Sequence, residues 1–407
     1  MSDTENDEST ESKQLSPPLF LAHSSLVTKV SKILVDPFIS FATFFLRRSV
    51  ERAFELDEAP SGLSLSLSKP IETNPPFITS AVDDVMYVVN QILQRSLATS
   101  QAAVVAATVS TVGRVLGSDF IGMIQRKMRD ESYPKAAIQG AMPPEDKIIA
   151  FLVLINNLDV AIEYIKRIVR SYITEGSGPQ TKIDRAAPRS LTELFPMNHD
   201  AVNVRKVLVA LETGFSGKAM ELINDGLTVT FQQVMKPRMR PMLADAFREV
   251  DYSMFEDSSS GTRPLQALEE DGEAAESAVH SRIQIGWDAL VKPVKRILTD
   301  RNSERLMVTM TAYFSNLLEK RIWSYHGRVS ELGGVRLERD IADVSNLAVR
   351  GENFKLRDSF NRCLQIVTIM NMDDEEWNAG GDNGSEKVWV LNANERERAR
   401  TMINSRD

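Results

Sequence analysis

Cysteine is nearly absent from this chain of 407 residues. The single thiol, Cys363, can form neither an internal disulfide nor a thiolate metal cluster, which points to a reducing compartment such as the cytosol. Histidine is scarce as well. His23, His199, His280 and His326 lie far apart, and none has a second histidine at the three- or four-residue spacing that sets two metal ligands on one helix face. Aromatic residues make up 7% of the chain, too few for the rings interleaved with bases that a nucleic-acid surface needs, so no nucleic-acid partner is expected. There is no uninterrupted run of the roughly 20 apolar residues that a bilayer demands. The two most apolar stretches, Gln101 to Val115 and Ile148 to Ile165, are short or broken by Asn156, Asn157 and Asp159. The first fourteen residues, MSDTENDESTESKQ, are the reverse of a basic-then-apolar secretory signal, so the chain is expected to start in the cytosol and to meet membranes only peripherally.

The charge that is present is unevenly placed. Residues 1–16, 251–279 and 373–386 together hold a net −17, so a whole-chain charge of −8 leaves the remaining body at +9. A mildly basic body of this kind could face anionic lipid or acidic helices through a screened, modest attraction. The stretch 251–279 is rich in Ser, Gly and acids and reads as a disordered insertion between helices.

Helical periodicity dominates after residue 80. Val82, Val85, Met86, Val89, Ile92 and Leu93 follow the 3-and-4 spacing of one buried stripe, and Ser80 with Asp83 resembles an N-terminal cap. The same spacing recurs from Ile149 to Val169, from Trp287 to Leu298, where Pro293 should kink the helix, and from Leu306 to Leu318. Shorter helices are expected at Ile341 to Ala348 and Leu356 to Met370. A last one opens on the cap pattern Asn392-x-x-Glu395 and runs to about Ser405. The best strand signal, the alternation of Leu63, Leu65 and Leu67 with serine, is bounded by Gly62 and Pro70 and has no second strand to pair with, so it reads as a loop. Breaks fall at Pro70 to Pro76, Glu175 to Pro188 and Asp251 to Ser277, with a lesser one at Glu55 to Gly62 and a finer joint at Gly351. The class is all-α. The expected parts are an acidic disordered tail (1–16), a helical segment and linker (17–69), a helical bundle (70–350) carrying the insertion 251–279, and a small bundle (354–407).

Constellations for chemistry are lacking. Cys363 lies among Phe360, Leu364 and Val367 on an apolar helix and reads as a structural thiol. Gly176 to Lys182 follows a helix and has no Gly-Lys-Ser/Thr ending, so it reads as a linker rather than a phosphate loop. Asp83 and Asp84 suit the first turn of a helix, and Asp373 to Glu376 reads as a solvated loop. No catalysis and no cofactor are expected. Two basic groups stand out as possible partner-binding patches: Lys166, Arg167 and Arg170 on one helix, and Lys236, Arg238 and Arg240 about a proline-bounded turn. Arg362 departs from the pattern in sharing a face with Ile366 and Ile369. Periodicity alone leaves open whether its guanidinium snorkels to solvent or is paired with a carboxylate.

Several segments in order resemble a known family. Phe44 to Arg47 with Leu56 and Asp57, Ala81 to Val89 (AVDDVMYVV), Leu332-Gly333-Gly334, Leu356 to Arg362 (LRDSFNR), Thr368 to Asn371 (TIMN), and Trp389 with Leu391 through Glu395 look like the C-terminal half of subunit four of the conserved oligomeric Golgi complex. The resemblance implies an elongated rod of stacked helical bundles. Its implied function is vesicle tethering in retrograde intra-Golgi transport, peripherally on the cytoplasmic face of Golgi membranes. The implied partners are the other subunits of that complex and the membrane-fusion SNARE machinery. It also implies that Arg362 is held in a salt-bridge network with Glu395 as the matching acid. The family's members are longer, with an N-terminal half used in assembly. The alternative, from another class, is a cytosolic helical adaptor or scaffold that holds an acidic ligand at Lys236, Arg238 and Arg240.

Overall fold

The computed structural model describes residues 20, 24–136, 141–173, 191–253, 278–350, 354–380 and 389–403. The expected acidic tail, the Gly176 to Lys182 linker, Gly351 and nearly all of the acidic insertion lie outside them. Every element is helical. The one β-type contact among the described residues is an isolated parallel bridge between Val329 and Ile403. The described residues within 1–63, 72–133 and 153–226 pack into one compact unit, and those within 64–71, 134–152 and 227–407 into another.

The first unit begins with a short helix, Ser25–Val30, which passes through a π-helical turn, Ser31–Val35, into α1 (Asp36–Glu55). It continues with α2 (Ser80–Leu97) and α3 (Ala102–Val115), the latter extended to Glu131 through two further π turns. Helices α4 (Glu145–Ile173) and α5 (Asn198–Thr230) supply most of the remainder. The stripe expected on α2 is buried as a set, with Val82, Val89 and Leu93 at 0% exposure. Each such side chain removed from water contributes about 1.5–3 kcal/mol. Phe54, Phe120 and Phe215 form a ladder through the unit, with centroids 5.8 and 6.3 Å apart. By length and composition the helical run Ala102–Glu131 and α4 are apolar enough to cross a membrane, but 56% and 72% of their apolar windows are buried inside the protein.

Polar residues fix how these stripes are registered. The interruptions Asn156 and Asn157 in α4 are both fully buried. Asn157 Oδ1 accepts the Thr79 backbone N–H at 3.0 Å while its Nδ2 donates to Thr79 Oγ1, and Asn156 Nδ2 donates to the Phe77 carbonyl. They tether the entry to α2, whose N-cap is Thr79 rather than Ser80; Ser80 Oγ instead accepts the Glu58 backbone N–H. In the joint after α1, the Asp57 carboxylate accepts from Ala81 N and from Lys127 Nζ, the latter at 2.7 Å.

In the second unit, a π turn, Phe231–Met235, leads into α6 (Lys236–Ala246). Then come α7 (Ala278–Lys295), α8 (Asp300–Trp323), α9 (Glu331–Ala348), a 3₁₀ turn (Phe354–Phe360), α10 (Asn361–Asn371), α11 (Asp374–Gly380) and α12 (Ala393–Arg400). Trp287, Phe314 and Phe360 line up at its centre, with spacings of 4.9 and 6.2 Å. The Leu63 to Leu67 segment is a loop. Ser64 Oγ and the Leu65 N–H both donate to Glu145 Oε1, and Leu65 is buried.

Several sequence expectations need correction. The stretch with Lys236, Arg238 and Arg240 is helix, not a turn: Pro237 falls where the π turn Phe231–Met235 runs on into α6, and the interior Pro241 forfeits one bond without ending α6. Helix α9 starts at Glu331, ten residues before the expected start, because Ser330 caps it by accepting the Gly333 N–H. Asp374 to Glu376 form the acidic first turn of α11 rather than a loop, where negative charge meets the helix dipole favourably. Pro293 lies two residues from the end of α7, and α12 ends at Arg400, short of Ser405.

Replacing Asn157 by alanine leaves the Thr79 N–H buried without an acceptor. Urea unfolding should show a loss of about 1–3 kcal/mol, against a negligible loss for the exposed Asn74.

Candidate functional site

The segments singled out in the sequence converge where α8, α9, α10 and α12 meet in the second unit. Arg362 opens α10, and its guanidinium lies between two carboxylates from different helices. Nε and Nη2 donate to Glu319 of α8 at 3.0 and 2.8 Å, a fork-to-fork pair, and Nη2 also donates to Glu395 of α12 at 2.6 Å. A longer contact of 3.4 Å joins Nη1 to the other Glu395 oxygen. The side chains are 34% (Arg362), 16% (Glu319) and 28% (Glu395) exposed, so water screens the cluster only in part.

Both acids are positioned by other groups. Glu319 Oε1 accepts from Trp323 Nε1, and the Arg398 guanidinium covers that indole at 4.5 Å. Glu395 is the N3 residue of a complete capping box: its carboxylate accepts the Asn392 N–H at 2.9 Å while Asn392 Oδ1 accepts the Glu395 N–H. The same carboxylate therefore caps one helix and holds an arginine of another. The hydrogen bonds from Arg362 hold both carboxyls below the usual glutamate range, Glu395 being lowered further by the Asn392 N–H, and the two acids push Arg362 upward. Periodicity pointed to Arg362 and the cap pattern pointed to Glu395. Sequence reasoning missed Glu319, whose sole local signal is its place beside the buried Leu318 and Ile322.

The glycine pair belongs to the same junction. A Cβ on Gly333 would stand 1.9 Å from the Tyr252 carbonyl oxygen, so that position requires a bare backbone, while one on Gly334 would stand 2.5 Å from Asn371 Oδ1 and displace that amide. Asn371 Nδ2 uses the space by donating to the Gly334 carbonyl and to Glu338, whose other oxygen accepts from Thr368 Oγ1. Leu332-Gly333-Gly334 and Thr368 to Asn371, 36 positions apart at their starts, are the two sides of one helix contact. On the far side Tyr252 donates to Asp340 at 2.7 Å, buried, and its phenol is driven strongly upward by burial and then by that carboxylate. Cys363 is buried against the Ser315 carbonyl. Burial pushes its thiol up to about 12, so the reactive thiolate is suppressed.

The remaining basic residues are placed differently. Lys236 lies over the Tyr313 ring and donates to Gln232. Arg238, two positions on, leaves from the opposite side of α6, donating to the Val234 carbonyl and the Met142 sulfur, and burial lowers its pKa. Arg240 is exposed, so the three form no single patch. Lys166, Arg167 and Arg170 do share one face of α4, where with Glu163 and Ser171 they line an open cleft of about 410 Å³. Lys166 pairs with Glu163 at 3.5 Å. Among the described residues no three His, Cys, Asp or Glu side chains are grouped to hold a metal ion. The junction is built to fasten helices, and its charged groups are engaged with each other.

Two substitutions test this reading. Arg362→Met and Glu395→Gln should couple by about 0.5–1.5 kcal/mol in a double-mutant cycle, discounted for partial exposure; additive effects would show that the pair contributes nothing. Both folded carboxyl pKa values lie below the ordinary value of about 4.3, so the stabilisation is complete above that pH and fades as pH falls through the folded values. Wild type should therefore lose its advantage over Arg362→Met in acid melts. Independently, Gly333→Ala should destabilise by about 1–3 kcal/mol, toward the upper end because the obstructing atom is backbone.

Comparison with known proteins concerns the chain as a whole. A family model described as "Conserved oligomeric Golgi complex subunit 4, C-terminal" matches residues 151–398, and one described as "COG4 transport protein, middle alpha-helical bundle" matches residues 1–128. Proteins named conserved oligomeric Golgi complex subunit 4 are similar along most of the chain. The one from Arabidopsis thaliana is 26% identical over 86% of this chain and 42% of its own length. That from Saccharomyces cerevisiae is 23% identical over 95% and 52%, and the human one 22% identical over 91% and 46%. The chain thus spans about half the length of these relatives. Among solved structures, the C-terminal domain of the exocyst subunit Sec6p aligns over 86% of this chain and 78% of that one, at 11% identity and a TM-score of 0.48, a likeness too loose to argue from.

Proposed function

Since the chain belongs to the family of conserved oligomeric Golgi complex subunit 4, we propose that it works as a subunit of that complex, tethering vesicles in retrograde intra-Golgi transport through protein contacts rather than catalysis. The observation that carries the reading is the family match across both segments of the chain, joined to a junction whose glycines, amides and ion pairs all serve helix packing. Its partners on this proposal are the other subunits of the complex and the SNARE fusion machinery, and its place is the cytoplasmic face of Golgi membranes, held peripherally. The C-terminal junction is proposed as the structural anchor of the second unit, with Arg362 and Glu395 as its ion pair.

The family match favours this reading over the adaptor one; of the adaptor's three bases, Arg238 leaves α6 on the side away from Lys236 and Arg240. The test is affinity purification of the tagged chain, joined to the length its relatives carry, from cells of its own host. Recovery of other subunits of the complex together with a Golgi pattern in the microscope is expected. Absence of every such subunit from the purified material would overturn the proposal.

A further inference from the structure

Among the described residues, exposed large apolar side chains are densest over residues 26–45. Of the large hydrophobic residues left in solvent, Leu26, Val30, Ile33, Leu34, Phe41, Phe44 and Phe45 fall within one 20-residue stretch, several of them about two-thirds exposed. Their spacing of 4, 3, 1, 7, 3 and 1 sets them along one side of a continuous helical run from Ser25 through the π turn into α1. The side of α1 that meets the core is a different set: Leu46, Val50, Ala53 and Phe54. Phe41 and Phe45 stack on each other with rings nearly parallel, and both remain exposed. At about 1.5 Å per residue the exposed side is roughly 30 Å long. Singly exposed hydrophobics are ordinary, but a contiguous side of this length marks a surface that meets something apolar.

Charge selects what that is. Two exposed lysines, Lys29 and Lys32, flank the apolar side and make no ion pair among the described residues, and the sole acid between Ser25 and Phe45 is Asp36. Arg47 and Arg48 follow at the next turn, more than half exposed although each touches an acid. Aromatic and aliphatic residues on one side, with lysine and arginine at its margins, is the composition of a helix that lies in the plane of a membrane interface with its apolar side about 5–10 Å into the headgroup boundary. Phenylalanine buries a large apolar area there, and flanking bases are attracted to anionic lipid at short range. The stretch 25–35 packs against little among the described residues beyond the helix it continues, so a flat surface can reach it.

From this the geometry points to an in-plane membrane-binding helix at residues 25–45, with an anionic bilayer surface as its ligand. The assignment rests on the reading that the chain works at a membrane, and supplies the contact which that reading leaves open. It is tested with purified components, so its failure is distinguishable from failure to recover other subunits.

The experiment is flotation of the purified full chain with phosphatidylcholine vesicles, with and without phosphatidylserine. The wild-type chain should float with the anionic vesicles and bind less as salt is raised. Phe41→Asp with Phe44→Asp should reduce the floated fraction roughly ten-fold. Lys29→Glu with Lys32→Glu should abolish the preference for phosphatidylserine. The substituted residues are exposed, so an unchanged melting curve confirms that the variants are folded. Failure of the wild type to float, or equal flotation of the phenylalanine variant, overturns the assignment. So does self-association of the wild type that the phenylalanine variant dissolves, which would give this side to a second copy. Protection of residues 25–45 from hydrogen exchange on joining other subunits without lipid would equally overturn it, giving the side to a partner helix.

Discussion

A protein assembled only from helices has no backbone ladder to fix one element against the next. The burial of apolar stripes holds the helices together, but it is non-directional, and a stripe tolerates rotation or a sliding shift at small loss. Placement therefore depends on a small number of directed polar contacts, each costly to leave half made in a dry interior. Both units use them. Asn156 and Asn157 tie α4 to the entry of α2, Asp57 ties the joint after α1 to α2 and Lys127, and Glu145 ties α4 to the Leu65 loop. Arg362 ties three helices at once.

The cluster around Arg362 shows how such a contact becomes rigid. A guanidinium shared by two glutamates would be a loose surface arrangement if both acids were free to move. Here neither is, since Trp323 holds one and a capping box holds the other. The entropy of ordering Glu395 is spent in forming the start of α12, so little further is lost when it meets Arg362. Arginine suits the position better than lysine because its planar fork satisfies two oxygens of Glu319 and still reaches Glu395. Nothing in the arrangement resembles a catalytic pair: the carboxyls are lowered, the thiol of Cys363 is raised, and each acid is occupied by donors. Perturbed ionisation in this molecule reflects fastening.

The uneven charge has a related meaning. The acidic excess lies in three polar stretches, while the bases sit on helices, among them the face of α4 with Lys166, Arg167 and Arg170 and the margins of the apolar run that leads into α1. An overall charge of −8 thus conceals a body able to approach acidic partners or anionic lipid. Under the function proposed above, that distribution matters more than the sum.

The sequence by itself determined the all-α class, the long stripes of α2, α4, α7 and α8, the loop at Leu63 to Leu67, the cap at Asn392 and Glu395, and the unusual position of Arg362. Each of these is a local signal, carried by spacing within a turn or two of helix. The ordered motifs also sufficed to indicate the family. What the sequence misread was equally local: Ser80 as a cap, a turn at Lys236 to Arg240, a loop at Asp373 to Glu376 and a late start for α9 are choices between near-equal short-range alternatives that packing decides. Only the tertiary structure supplied Glu319, because a glutamate on an amphipathic helix looks solvated until a cation from another helix arrives beside it. Likewise, only the fold reveals that Gly333 is bare to admit the carbonyl of Tyr252, 81 positions earlier, and that Gly334 is bare to admit Asn371. Periodicity reports which side of a helix is dry; which atoms meet there is set by chain segments far apart in sequence, and no local pattern encodes their distance.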